Sequence, residues 1–125
     1  MGELDQLVAA ARAIPGIESA AVFAQQAEGA GLQLASAAGI QGPALDGLVA
    51  AVKDPSHPIA QALGAAAASF NVSPVNRGGP ALRSHLPLAG LGVLAVSHAS
   101  PLTAEAQAEL ERLAASAKDI LGRSA

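Results

Sequence analysis

The stretch Leu82-Arg83-Ser84-His85-Leu86-Pro87-Leu88, the pair Ala89-Gly90, and the run Leu91-Gly92-Val93-Leu94-Ala95-Val96-Ser97-His98 decide the fold. Two extended runs joined at Ala89-Gly90 read as paired strands. The second is apolar at nearly every position from Leu91 to Val96, the pattern of a central strand covered on both faces. Downstream, Thr103 can cap a helix in which Ala106, Leu110, Leu113, Ala117 and Ile120 recur at spacings of four, three, four and three. Ala114 and Leu121 widen that stripe, giving one apolar face at helical period. Glu105 in the first turn and Lys118 and Arg123 towards the end suit the helix dipole, and Gly122 can terminate the helix.

Working upstream, Asn76-Arg77-Gly78-Gly79-Pro80 is a loop by composition. Ser69–Val75 reads as a strand carrying Phe70 and Val72, confined to a sheet edge by Pro74. The alanine run Ala65–Ala68 fits a helix end or a tight strand equally well. Ser56-His57-Pro58 opens a short helix with Ile59, Ala62 and Leu63, ending at Gly64. Before it, Leu45, Leu48, Val49 and Val52 mark another short amphipathic helix, stopped by Asp54-Pro55. Ile17–Gln25 and Leu32–Ala38 form a hairpin around Glu28-Gly29-Ala30-Gly31, the second run alternating in part at Leu32, Leu34 and Ser36. Glu3–Ile14, apolar at Leu4, Leu7, Val8, Ala11 and Ile14, is a helix ended by Pro15-Gly16. The order predicts a single α+β domain over residues 1–125 with a central antiparallel sheet of five to six strands.

Composition removes several classes of function. The chain has no cysteine, which excludes disulfides, thiolate nucleophiles and Cys-based metal sites. It has no Trp or Tyr and two Phe, so stacking of bases on aromatic rings has almost nothing to work with. With a net charge of −3 and seven Lys plus Arg, nucleic acid is not an expected partner. No apolar run reaches the length of a membrane span, and the amino end lacks the basic region of a secretory signal, so a cytoplasmic location is expected.

The segments His57-Pro58-Ile59, Pro80-Ala81-Leu82-Arg83-Ser84-His85-Leu86-Pro87-Leu88 and Gly92-Val93-Leu94-Ala95-Val96, with the closing helix, resemble a GAF domain. Gly31-Leu32-Gln33-Leu34-Ala35-Ser36-Ala37-Ala38-Gly39 also matches that family's second strand and the glycine after it. The resemblance implies a PAS-like antiparallel sheet with both terminal helices on one face and a small-molecule pocket on the other. It implies a non-catalytic sensory or regulatory role in signal transduction, and in many members dimerisation through the terminal helices. The Asn-Lys-Phe-Asp-Glu signature of cyclic-nucleotide-binding members is absent. Bilin-binding and methionine-sulfoxide-reducing members need cysteines that this chain lacks. The alternative resemblance is to roadblock/LC7 domains, dimeric scaffolds that regulate small GTPases without a small-molecule ligand. Ile14-Pro15-Gly16-Ile17 is similar to their opening, and they would carry one long helix across Pro55.

On the GAF reading, a pocket lies between the sheet and the segments His57–Gly64 and Ser69–Arg83. Its ligand-binding residues are expected to be Phe70, Val72, Val75, Arg77 and His85, and so poor in aromatics that a small apolar or weakly polar ligand suits it. His85 and Leu86 point to opposite faces, so His85 faces either solvent or the pocket. Arg77, in a Gly-Gly-Pro loop, is either an anion contact or a solvated loop charge. Arg83 is expected to pair with Asp46, Asp54 or a neighbouring carboxylate, His57 to be a structural residue at a helix start, and His98 to be exposed. The three histidines show no metal-ligand spacing, and Ser69, Ser73 and Ser84 have no visible His–Asp partners. No catalytic residue, metal or cofactor is expected. Self-association is expected through the closing helix, where Ala104, Ala108 and Ala115 form a second small-residue strip. Leu4, Leu7, Val8 and Ala11 would supply further apolar surface.

Overall fold

The computed structural model describes residues 2–25, 32–54, 56–72 and 82–124. Its elements run α1 (Glu3–Ala13), β1 (Ile17–Gln25), β2 (Leu32–Ala38), α2 (Gly42–Ala51), α3 (Pro58–Ala62), β3 (Ser69–Val72), β4 (Leu82–Pro87), β5 (Gly92–His98) and α4 (Ala104–Ser124). The strands form one sheet in the order β2-β1-β5-β4-β3, antiparallel at every step. β5 is central and buried at all seven positions, as an apolar run flanked by turn residues predicts.

Both faces of β5 are covered, by different helices. On one side α1 and α4 bring Leu7, Val8, Ala11, Leu110 and Ala117 onto Ala20, Val22, Leu86, Leu94 and Val96. The two terminal helices therefore share one face, tied at their ends by Arg123 Nη2 to Glu3 Oε2 at 2.7 Å. On the other side α2 and α3 bring Val52, Ile59 and Ala62 onto Ala21, Phe23, Leu32, Val93 and Ala95. The roadblock alternative requires one long helix over this region, whereas α2 ends at Ala51 and α3 begins at Pro58. His57 caps α3, its Nδ1 accepting the Ile59 N–H at 3.1 Å.

The β4–β5 connection is a two-residue turn in which Ala89 and Gly90 take φ of 55° and 81°. Positive φ at both positions identifies a type I′ turn, whose twist matches that of the strands it joins. Leu91 N–H donates to Leu88 O at 3.0 Å, and Leu88 N–H to Gly92 O at 2.9 Å. Gly92 is needed for a different reason: a Cβ there would lie 2.2 Å from the Phe23 carbonyl oxygen of β1.

Five expectations need correction. The partial alternation of Leu32, Leu34 and Ser36 breaks at Ser36, because Phe23 pairs with Leu34 and Val22 with Ser36, leaving Ala35 as a bulge. Leu34 thus packs with the α2/α3 cluster, while the Ser36 hydroxyl donates to the Asp5 carboxylate of α1. That bond holds Asp5 below the usual carboxylate range. Ala65–Ala68 is neither helix nor strand but irregular chain with a bend at Ala66 and Ala67. α4 runs through Gly122 to Ser124, its last turn anchored by the Arg123–Glu3 pair. His98 is not exposed but fully buried, for the reason given below. Leu7, Val8 and Ala11 are buried in the domain's own core, while Ala104, Ala108 and Ala115 remain exposed.

Candidate functional site

Residues directly opposite one another in adjacent strands share a face. The register therefore lays two rows across the face beneath α2 and α3. One row is Ser19, Ser97, Arg83 and Val72; the next is Ala21, Ala95, His85 and Ser69. Beyond them the same face turns apolar, with Phe23, Val93 and Leu32 packed by Val52 and Ile59. The polar end of this face is unusual in what it lacks. His85 is 3% exposed, and its Nε2 has no hydrogen-bond partner. Arg83 is half-buried and makes no ion pair with any described carboxylate, so the expected pairing with Asp46 or Asp54 does not form. Asp54 instead accepts from Ser56, N–H at 2.9 Å and hydroxyl at 2.8 Å.

The electrostatics follow from that arrangement. Burial pushes the Arg83 guanidinium down from its ordinary value. Burial, then the charges of Arg83 and His57, push His85 down to about 4. His57 is lowered by burial and by Arg83, with Asp54 opposing. At neutral pH, His85 is a neutral imidazole beside a desolvated cation. Its Nε2 can donate or accept according to tautomer.

The opposite face holds a polar group of the contrary kind. Ser84 Oγ lies 2.9 Å from His98 Nε2, and His98 Nδ1 lies 2.8 Å from the Ser100 carbonyl. A carbonyl only accepts, so Nδ1 carries the hydrogen and Nε2 accepts from the Ser84 hydroxyl. Ser84 Oγ in turn accepts the Asn71 N–H at 3.1 Å, and Asn71 Oδ1 accepts the Leu102 N–H at 2.8 Å. Asn71 adopts φ of 60°, a left-handed conformation that Asn tolerates better than most residues. Ser84 and His98 resemble a nucleophile and its base, but both are fully buried and the third group is a backbone carbonyl. The set clasps β3, β4, β5 and the segment before α4 together.

Of the sequence-predicted site residues, the register places Val72 and His85 on one face. Phe70 packs against the α1/α4 cluster on the other. Val75 and Arg77 lie outside the described residues. Sequence reasoning missed Arg83 as a site residue, although its position two residues before His85 on a strand gives both the same face. It also read His57 as purely structural: the residue does cap α3, but it also faces Arg83 and His85 closely enough to shift with them. No group of three or more metal-ligating side chains occurs among the described residues. No described helix is long and apolar enough to cross a membrane.

No protein-family model and no curated protein matches the chain. Solved structures do match its fold. The GAF domain of an Acinetobacter phosphoenolpyruvate-protein phosphotransferase superposes with a TM-score of 0.74 at 12% identity, over 97% of this chain and 81% of that one. The second GAF domain of DevS from Mycobacterium smegmatis gives 0.70 at 19% identity, over 96% and 91%. The GAF domain of a Coxiella burnetii phosphoenolpyruvate-protein phosphotransferase gives 0.68 at 13% identity, over 97% and 91%. The fold is therefore GAF-like: an antiparallel five-stranded sheet with the terminal helices on one face and two short helices on the other.

Proposed function

We propose that this domain is a regulatory module, not a catalyst, that binds a small molecule on the sheet face beneath α2 and α3. One observation carries the reading. Arg83 and His85 lie two residues apart on that face, one a half-buried cation that pairs with no described carboxylate, the other a buried imidazole whose Nε2 has no partner. Buried polar groups in folded domains find partners, and leaving them without costs free energy that a ligand can recover. The GAF-like fold supports the same reading, since this is the face its terminal helices leave to shorter elements. The serine and histidine that could suggest hydrolysis bond only to each other and to backbone, and both are fully buried.

The test is a thermal-shift screen against a metabolite collection of mixed charge, followed by NMR of the His85 imidazole with each hit. A compound that raises the melting temperature and moves the His85 resonances supports the reading. Hits that leave His85 unmoved while moving α1 and α4, or no hit at all, overturn it. Turnover of a substrate would overturn the non-catalytic part.

A further inference from the structure

The proposed binding face also constrains what binds there. Five facts bear on it, and this inference rests on the reading just given. Arg83 presents a planar fork of N–H donors and no acceptor. His85 Nε2 is buried and unpartnered two residues along the same strand face. His57, the N-cap of α3, adds a second imidazole; its Nδ1 is occupied by the Ile59 N–H, which leaves Nε2 carrying hydrogen. Asp54, the acidic group that acts on His57, is engaged by Ser56, and Arg83 forms no ion pair with a described carboxylate. The neighbouring hydroxyls are already matched to each other, Ser19 Oγ to Ser97 Oγ at 2.5 Å. What this corner holds is donors in excess of acceptors, with a positive charge that no described carboxylate balances.

We propose that the ligand is a small molecule bearing an oxyanion, a carboxylate or a phosphate, whose oxygens accept from the Arg83 guanidinium with His85 and His57 as further donors. An oxyanion supplies both missing quantities, acceptor lone pairs and negative charge. A guanidinium matches it with two parallel N–H···O bonds. The neutral amide of the same shape supplies some acceptors but no charge, and brings donors of its own into a corner already rich in them. A weakly polar ligand, which suits an aromatic-poor lining, would leave Arg83 unbalanced. The apolar end of the same face, with Phe23, Val93 and Ile59, would then meet the remainder of the ligand.

The experiment titrates the full chain, at constant ionic strength, with inorganic phosphate, with succinate and with the neutral succinamide. Side-chain resonances of His85, His57 and Arg83 are followed by NMR. Phosphate or succinate should move all three, and succinamide should not. Arg83→Met should weaken the binding by about tenfold or more, since a charge-assisted pair is lost. The same substitution should leave the ligand-free melting temperature equal or higher, because an unbalanced, half-buried charge goes with it. Arg83→Lys, which keeps the charge without the fork, should weaken binding less and guards against a folding failure of the first variant. Equal binding of succinamide and succinate at these residues overturns the oxyanion assignment while leaving a small-molecule site in place. No movement at Arg83 and His85 with either anion overturns the proposal. The wider screen above then decides separately whether the face binds anything.

Discussion

Strand β4 sends Ser84 to one face of the sheet and Arg83 and His85 to the other, and the two faces treat them in opposite ways. Ser84 is fully buried, gives its hydrogen to His98 and accepts one from Asn71. His85 is almost as deeply buried and its Nε2 bonds to nothing. Both are polar residues in a domain with few charges, so burial alone does not separate structure from function. What separates them is whether the local hydrogen-bonding is closed. The α1/α4 face is a finished core whose polar groups are matched internally. The α2/α3 face is finished at its apolar end and open at its polar end.

The largest expected effect lies on the closed face. Leu110 is fully buried against the sheet. Leu110→Ala removes its transfer energy and leaves a cavity, costing about 2–5 kcal/mol. Urea unfolding measures this directly, and a loss under about 1 kcal/mol would mean that α4 is not integral to the core.

The two buried histidines sharpen the contrast. His98→Phe strands the Ser84 hydroxyl and the Ser100 carbonyl, and should cost about 2–3 kcal/mol. His85→Leu removes an imidazole that has no partner, and should change stability by less than about 1 kcal/mol in either direction. Comparable losses from both substitutions would erase the distinction between the faces.

Acidity probes the same residue without mutation. His85 titrates near 4 in the folded chain against an ordinary value of 6.5. Below 6.5 the unfolded state takes up a proton that the folded state refuses until about 4. Stability from this group is therefore complete above 6.5 and is lost as pH falls through that window. Linkage gives a loss of about 2 kcal/mol between pH 7 and about pH 5. His57, also lowered, adds in the same direction. Melting temperatures across that range check it, and His85→Leu should flatten most of the slope. A slope unchanged in that variant would place the titrating group elsewhere.

How much of this was legible in the sequence follows from what period and spacing can encode. The apolar run of β5, the stripe on α4 and the turn at Ala89-Gly90 each announce themselves locally, and the order of elements follows. The bulge at Ala35 does not, since it depends on the pairing of β2 with β1. His98 looks like a strand-end residue in solvent, and its burial depends on Ser84 meeting it across the hairpin and on the Ser100 carbonyl turning back to it. Val72 and His85 share a face by register, and alternation alone was enough to relate His85 to Arg83. That Arg83 goes without a carboxylate depends on where Asp54 ends up, bound to Ser56 in the turn before α3.

The smallest expected effect tests what keeps the two faces distinct. A slip of one residue between β4 and β5 would carry Ser84 to the face of His85 and exchange their environments. The type I′ turn at Ala89-Gly90 opposes that slip, because its closing bonds set Leu88 opposite Gly92, in line with Pro87 opposite Val93. Ala89 holds φ of 55°, where its Cβ is strained and where Asn is the residue most suited to the first turn position. Ala89→Asn should therefore stabilise the domain by about 0.5–1 kcal/mol. It should leave the His85 and His98 resonances where they were, since Ala89 is exposed at the tip of the hairpin. Ala89→Val, β-branched and poorly tolerated at positive φ, should destabilise by a similar or larger amount. If Asn gave no gain and Val no loss, the register would be held by the side-chain rows alone and the turn would be passive.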